Sequence, residues 1–375
     1  MGEVPGHDAG ARAYRVVPWR TSNVGRRNRI VRAAIRAFAA AWLFIPVVAA
    51  SQAANPGPTQ PVIEMASPSK GMEALGQRLF LDAALSADGL TSCATCHQPE
   101  RAFTDGKAVA EGAAGRRATR NTPSLLDVTS RPSLTWEGRE TRLELQVLRP
   151  FTQSREHGLK DTAQLLRMIR SDPEYRRQFA ATFGGSDIQL ADIGTTLSAY
   201  LRTLKSGTSP YDAFQAGNVG ALSESARRGD ALFRGAAGCA ECHRIDRGRA
   251  SFTDEDFHRV GVGLPAIAGR LPELTARVSG KSAAEVDALV FEDGDIAALG
   301  RFLVTRNPKD IGAYRTPSLR NVAVTPPYMH DGSVATLPEA VSLEVYYRLQ
   351  NRGRSNGIGP MDQADLVEFL KALTD

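Results

Sequence analysis

Cysteine, histidine and tryptophan are scarce in this chain of 375 residues, which has four, six and three of them. The four cysteines all fall in two short segments, so a wider disulfide framework is excluded. Alternation of apolar and polar residues, the mark of half-buried strands, is sparse and argues against a mainly β fold. The one long apolar run, about 14 residues from Ala37 to Ala50, is short for a membrane span and contains Pro46.

Residues 1–53 have the order of a secretory signal peptide. Eight arginines and two acidic residues fill positions 1–36, the apolar run follows, and Ser51-Gln52-Ala53 supplies small residues for cleavage. The sequence therefore predicts export to the periplasm, with an uncleaved membrane anchor as the alternative. Without residues 1–53 the net charge changes from +5 to about −1, so the basic pI gives no reason to expect a nucleic-acid partner.

The two cysteine segments have the same pattern. Cys93-Ala94-Thr95-Cys96-His97 recurs as Cys239-Ala240-Glu241-Cys242-His243. C-x-x-C-H is the attachment signature of haem c, in which both thiols bind the haem and the histidine ligates its iron. A disulfide, a thiol redox site or half of a zinc site are the alternatives. Two copies that use every cysteine favour two covalently bound haems, with His97 and His243 as iron ligands.

The surroundings of the two motifs also match in the same order, which indicates a tandem duplication. The second copy has roughly 40 additional residues between its Phe-Thr-Asp and its Thr-Pro-Ser-Leu segments. The matching pairs are Gly76-Gln77-Arg78-Leu79-Phe80 with Gly229-Asp230-Ala231-Leu232-Phe233, Phe103-Thr104-Asp105 with Phe252-Thr253-Asp254, and Arg120-Asn121-Thr122-Pro123-Ser124-Leu125 with Tyr314-Arg315-Thr316-Pro317-Ser318-Leu319.

We therefore predict a mainly α fold of two tandem cytochrome c-like haem domains with long loops. The predicted boundaries are a linker at 54–69, a first domain at 70–215 and a second domain at 216–375. Apolar residues recur with helical spacing in several segments of both domains, and Asp161 and Ser223 have the character of helix N-caps. The helical segments are Gly76–Ala84, Asp161–Ser171, Ile188–Leu204, Ser223–Phe233, Pro338–Tyr347 and Gln363–Leu373.

From Gly76 to Asp375 the chain resembles the bacterial di-haem cytochrome c peroxidase family, which includes MauG, the methylamine-utilisation protein. The resemblance is carried by both haem motifs, both Thr-Pro-Ser-Leu segments, Trp136-Glu137-Gly138-Arg139 and Pro327-Tyr328-Met329-His330-Asp331-Gly332. It implies that the first haem reacts with peroxide, that the second passes electrons on, and that a calcium ion lies between the domains. Members of the family often form homodimers.

The resemblance also implies the residues of the first haem's far side. Where many members have a distal histidine, 16 residues after the proximal one, this chain has Ala113. The first iron is therefore expected to be open without prior reduction, unless His157 substitutes as a ligand. Glu156 matches the family's catalytic glutamate and Gln146 its pocket glutamine. A carboxylate there can move a proton between the peroxide oxygens. Glu144 is a rival carboxylate.

Other matches concern electron transfer and the metal ion. Trp136 matches a tryptophan that lies between the haems, and its alternative role is packing. The sixth ligand of the second haem is expected to be Glu344, 14 residues after His330, or a neighbouring tyrosine, with Met329 as the alternative. The matches to the family's calcium ligands are Asn121, Thr325 and Pro327.

The sequence thus predicts a periplasmic peroxidase that reduces hydrogen peroxide with electrons from a small cytochrome c or cupredoxin. The first alternative is a MauG-like oxidase that modifies residues of a partner protein. No tryptophan follows residue 136, so the surface tryptophan that MauG would use near the second haem is missing. The second alternative is a di-haem electron carrier without chemistry at the iron.

Overall fold

A computed structural model describes residues 69–375 apart from 186, 247 and 353–356, and gives no side-chain positions for 349–352. The predicted signal peptide and all of the predicted linker except Ser69 lie outside the described residues. The described part is mainly helical, as predicted, and its one sheet pairs the two short strands β1 (Phe257–His258) and β2 (Tyr314–Arg315). No helix in this part of the chain has the length and hydropathy needed to cross a membrane.

The helices follow one another along both halves of the chain. Those before residue 216 are α1 (Lys70–Leu81), α2 (Cys93–Cys96), α3 (Leu143–Gln146), α4 (Arg149–Thr152), α5 (Thr162–Ser171), α6 (Pro173–Phe183), α7 (Leu190–Thr203) and α8 (Pro210–Gln215). Those after it are α9 (Glu224–Arg234), α10 (Leu264–Ile267), α11 (Leu271–Val278), α12 (Ala283–Glu292), α13 (Gly294–Ala297), α14 (Phe302–Thr305), α15 (Leu337–Arg352) and α16 (Pro360–Lys371).

Local signals explain where several of these helices begin. The Asp161 carboxylate accepts a hydrogen bond from Gln164 N at 2.7 Å, and the Ser223 hydroxyl accepts one from Ala226 N at 3.1 Å. Both residues are therefore the N-caps that the sequence predicts. Sequence reasoning missed α6, although Asp172 caps it and Pro173 occupies its first position, a combination that favours a helix start.

Each of the two repeated halves of the chain, which we call the first and the second unit, has a pair of long helices that cross at a glycine. A Cβ atom on Gly76 of α1 would lie 2.2 Å from the carbonyl oxygen of Thr196 in α7. A Cβ atom on Gly229 of α9 would lie 2.0 Å from the carbonyl oxygen of Asp365 in α16. No other residue allows the two backbones to approach so closely, which accounts for a glycine at this point in both copies.

The backbone repeats the duplication in finer detail. Isolated bridges join Leu134 to Glu140 and Tyr328 to Val334, which are equivalent pairs in the register of the Thr-Pro-Ser-Leu segments. Left-handed conformations also recur at equivalent positions, which confirms two tandem units of the same fold. These positions are Asp127 (φ 53°) with Asn321 (62°), Thr135 (70°) with Met329 (72°), and Gly138 (69°) with Gly332 (63°).

The buried apolar side chains form three clusters. One extends from Leu75 to Leu204 and a second from Tyr211 to Leu373, so each cluster surrounds one C-x-x-C-H motif. The third, from Ile267 to Leu303, belongs to the additional residues of the second copy. We call residues 264–311, with α10 to α14, the insert. The exact boundary between the domains, at 215 and 216, stays a prediction.

Candidate functional site

The cysteines of both motifs are free thiols in an apolar environment. Burial raises the pKa of Cys93 and of Cys96 to about 12, and that of Cys239 to about 11. A thiol redox site needs a reactive thiolate, which this environment disfavours. The thiols are not paired in disulfides either. Of the interpretations open from sequence, covalent attachment of a prosthetic group therefore fits these cysteines best.

The histidines of the two motifs are held in the same way. Nδ1 of His97 donates to the carbonyl oxygen of Phe103 at 2.9 Å, and Nδ1 of His243 donates to that of Phe252 at 3.0 Å. This tautomer, assigned from the geometry, leaves Nε2 of each ring as an unprotonated ligand. Burial lowers the pKa of His243 to about 4 and that of His97 below its usual range, so both rings stay neutral as a metal ligand must.

The second motif opens into a cavity of about 350 Å³. His243 lines it together with Glu344 and Met329, the two predicted candidates for the sixth ligand. Burial raises the pKa of Glu344, and Arg348 opposes the rise. Tyr347 also lines the cavity, whereas the side chain of Tyr346 is 54% exposed. The mostly apolar lining and the free Nε2 of His243 fit a haem attached at Cys239 and Cys242.

Two further histidines border this cavity. His258 donates from Nε2 to the Asp254 carboxylate at 2.7 Å. Within the described residues, Cys242, Asp254 and His258 are the one group of three potential metal ligands, and Cys242 is an attachment thiol. His330 is stacked on Tyr314 at a centroid distance of 3.6 Å, and burial lowers its pKa to about 4. Both rings therefore have protein partners already.

The loop that follows α4 lies close to the first motif, since the charge of Glu156 acts on the thiols of Cys93 and Cys96. Glu156 is half-buried there, and its carbonyl oxygen accepts a hydrogen bond from Ala113 N at 2.7 Å. Ala113, at the position where the resemblance implies a distal histidine, is thus hydrogen-bonded through its backbone to the predicted catalytic glutamate. Burial raises the pKa of Glu156 to about 7, and the positive charge of Arg139 limits the rise. A carboxyl group with this pKa exchanges protons readily near neutral pH.

Two polar side chains of α3, Gln146 and Glu144, differ in their hydrogen-bond partners. Oε1 of Gln146, at the end of α3, is buried without a hydrogen-bond partner among the described residues. An orphaned acceptor is costly unless a ligand satisfies it. Glu144 instead forms an ion pair with Arg202 of α7 at 2.5 Å. The rival carboxylate is thus engaged on another face of α3, whereas Gln146 can accept a hydrogen bond from a small ligand.

His157 is buried beside the first attachment site. Nδ1 lies 3.1 Å from the carbonyl oxygen of Leu85, and Nε2 lies 3.7 Å from Sγ of Cys93. Its ring also contacts Phe151, with the centroids 4.7 Å apart. The ring therefore packs against the thiol that would attach the haem, and both nitrogens have neighbours within the protein.

Trp136 lies where the two units meet. Its indole Nε1 donates to the carbonyl oxygen of Asn121 at 2.9 Å, and its own carbonyl oxygen accepts from Arg315 N at 2.9 Å. The indole borders the cavity at His243 and also a smaller cavity of about 110 Å³ between the units. Trp136 therefore contacts residues of both halves of the chain, and its role as an electron relay stays a prediction.

The three predicted calcium ligands line the smaller cavity together. Asn121 donates from its amide nitrogen to the carbonyl oxygen of Lys107 at 2.9 Å, which leaves the amide oxygen as a ligand. Thr325 and Pro327 line the same cavity. Arg131 and Arg315 line it as well, and their positive charges would weaken the binding of a cation here.

The sequence did not predict the network of charged side chains around Glu137, whose member Arg139 acts on the pKa of Glu156. Glu137 is fully buried, and its carboxylate accepts from Arg120 Nε at 2.7 Å and from Arg139 Nε at 3.1 Å. Burial alone would raise the pKa of Glu137, but the two arginines lower it to about 2. Arg139 is also paired with Asp287 of α12. Trp136-Glu137-Gly138-Arg139 was an available signal, but its partner in the insert could not be read from the chain.

Known proteins are similar to this chain in sequence. A family model for di-haem cytochrome c peroxidase matches residues 70–220. The cytochrome-c peroxidase IdrP1 of Denitromonas iodatirespirans is 34% identical over 80% of this chain and 81% of its own length. The methylamine utilization protein MauG of Methylophilus methylotrophus is 31% identical over 80% of this chain and 81% of its own length.

The fold has relatives among solved structures as well. A MauG-like protein associated with microbial copper homeostasis superimposes with a TM-score of 0.63 and 32% identity, over 82% of this chain and 90% of the other. Both the sequence and the architecture of residues 69–375 therefore agree with a di-haem family. The chain belongs to the di-haem cytochrome c peroxidase family of oxidoreductases.

Proposed function

We propose that this protein is a periplasmic peroxidase that reduces hydrogen peroxide to water with electrons from a small redox protein. The observation that carries the proposal is Glu156, a half-buried carboxyl with a pKa raised to about 7, which is hydrogen-bonded to Ala113 and lies close to the thiols of the first motif. Relatives named as cytochrome-c peroxidases support it. The periplasmic location rests on the predicted signal peptide.

The residues fit two covalently bound haems. Cys93, Cys96 and His97 hold the first, and the second is held by the equivalent residues Cys239, Cys242 and His243. When bound, the two haems supply the redox-active iron through which electrons reach peroxide. Glu344, half-buried in the cavity that His243 also lines, is our preferred candidate for a further ligand that would bind the second iron, and Met329 is the alternative.

The protein's own part in the reaction is proton transfer. Glu156 takes the proton from the peroxide oxygen that remains at the site. It then donates this proton to the other oxygen, which departs as water. Oε1 of Gln146 accepts a hydrogen bond from the peroxide and orients it without changing its own charge. Trp136 relays electrons across the junction of the two units.

A MauG-like oxidation of a partner protein is the second candidate. It is favoured by Ala113 in the position of the distal histidine and by 31% identity to the MauG of Methylophilus methylotrophus. Steady-state kinetics with peroxide and reduced cytochrome c, with reduced cupredoxin in parallel, separate the two. Rapid oxidation of either donor supports the peroxidase. A long-lived oxidised state that neither donor discharges supports the MauG-like role.

We further propose a calcium ion between the units, bound by Asn121, Thr325 and Pro327. Removal of the metal with EDTA is expected to slow electron transfer between the units and to lower the thermal midpoint, with recovery on addition of Ca²⁺. Weak binding is expected because two arginines line the same cavity. Calorimetric titration with Ca²⁺ measures the site directly. The Asn121→Ala variant should lose this binding, and unchanged binding would contradict the assignment.

A further inference from the structure

The insert belongs to the second unit but also makes polar contacts with the first unit. Its helices are built around an apolar core that includes Leu274, Val286, Ile296 and Phe302. Its polar groups nevertheless reach residues that precede position 156. The hydroxyl of Thr119, for example, donates to the carbonyl oxygen of Val290 at 2.5 Å. The insert therefore packs against part of the first unit.

One helix of the insert, α12, holds the start of the segment that leads to Glu156. The carboxylate of Asp287, in the middle of α12, is paired with both Arg139 and Arg149. Arg149 is the first residue of α4, and it also donates to Glu140 at 3.0 Å. Asp287 is only 9% exposed, so water screens these interactions weakly.

The end of the same helix holds the end of this segment. The carboxylate of Glu292 accepts from the hydroxyl of Ser154 at 2.6 Å and from Arg155 Nη2 and Nε at 2.8 and 3.1 Å. Residues 149–155 are therefore fixed to α12 near both of their ends. Glu156 is the next residue along the chain.

The other side of Glu156 is held by the first unit itself. Ala113 N donates to the carbonyl oxygen of Glu156 at 2.7 Å, and Ala87 N donates to that of His157 at 2.8 Å. The contacts of the insert are thus confined to the side that precedes Glu156, where they add to contacts of the first unit such as that of Arg149 with Glu140. It also acts on the charge there, because Arg139, which opposes the rise in the pKa of Glu156, is anchored between Glu137 and Asp287.

We propose that α12 of the insert positions the proton-transfer group of the first unit, with Asp287 and Glu292 as positioning residues for residues 149–156 and for Arg139. This inference rests on the proposed role of Glu156. In this proposal, residues of the second unit position a group at the first haem, so the two units contribute to one site.

The first test is structural and does not depend on turnover. The full-length, haem-loaded double variant Asp287→Asn with Glu292→Gln should show hydrogen exchange about tenfold faster in peptides that cover 149–157. The control double variant, Glu273→Gln with Asp295→Asn, removes the same charge from the insert. Those two acids pair with Arg270 inside the insert, so exchange in 149–157 should stay as in the unaltered protein.

The second test asks whether the effect passes through Glu156. The Asp287→Asn with Glu292→Gln variant should slow the reaction with peroxide about tenfold, and it should cause no further slowing in the Glu156→Gln background. The control variant should leave the rate unchanged in both backgrounds. Equal slowing in both backgrounds would show a general structural role and overturn the inference, as would unchanged exchange.

The proposed role of Glu156 and the proposed role of α12 can fail separately. If Glu156→Gln alone leaves the peroxide rate unchanged, the proposed catalyst is wrong, and exchange in 149–157 alone decides whether α12 holds the segment. If the double variant does not fold, Glu292→Gln alone replaces it. Glu292 is 50% exposed and pairs at the surface, so this single change should leave the fold intact and still accelerate exchange.

Discussion

Replacing Glu156 with Gln should slow the reaction of the oxidised protein with hydrogen peroxide by about 10²-fold or more. Glutamine has nearly the same shape but cannot take up the proton, so peroxide can still enter while its proton stays in place. Stopped-flow spectroscopy of the haem bands at varied peroxide concentration measures the step. The Glu144→Gln variant is the matched control, since Glu144 is paired with Arg202 and its replacement should leave the rate unchanged.

The pH dependence of the same step identifies the group. Glu156 works as a base only when it is ionised, and burial raises its pKa to about 7. The rate should therefore be at a plateau above about pH 8 and fall about tenfold per unit well below pH 7. In the Glu156→Gln variant this decline should disappear. A decline that persists unchanged in the variant would mean that another group carries the proton.

Replacing Trp136 with Phe should slow the delivery of electrons from the second unit to the first by about tenfold or more, with the peroxide step unchanged. Phenylalanine fills much of the space but is far harder to oxidise, and it loses the hydrogen bond to Asn121. The rate of donor oxidation in steady state, compared with the rate of the peroxide step, separates the two effects.

Trp136→Tyr is the informative companion to Trp136→Phe. Tyrosine is oxidised more easily than phenylalanine, so it should restore part of the lost rate if the side chain relays electrons. If packing alone matters, the two aromatic replacements should behave alike. Full activity in the Phe variant would contradict the assignment of Trp136 as a relay.

Much of the fold could be predicted because the duplication supplies every signal twice. The glycines at 76 and 229 mark helix crossings, and the two Thr-Pro-Ser-Leu segments set the register in which bridges and left-handed residues recur. The cysteines and histidines of the motifs needed only local spacing. The fixation of His97 by Phe103 and of His243 by Phe252 follows from the same repeat.

The contacts that set the environment of Glu156 could not be predicted in this way. Asp287 and Glu292 belong to the insert, for which the first copy has no counterpart, and their partners are more than 130 positions away in the chain. The sixth ligand of the second iron is open for a related reason. Glu344 and Met329 line one cavity from different elements, and sequence spacing does not rank them.

We expect the first site to be open to peroxide in its oxidised state, because Ala113 stands at the position where a distal histidine would close it. The most direct measurement is the rate of spectral change when peroxide is mixed with the fully oxidised protein and with protein reduced by one electron. We predict a rapid reaction of the fully oxidised protein that prior reduction does not accelerate. A reaction that occurs only after one-electron reduction would contradict the account.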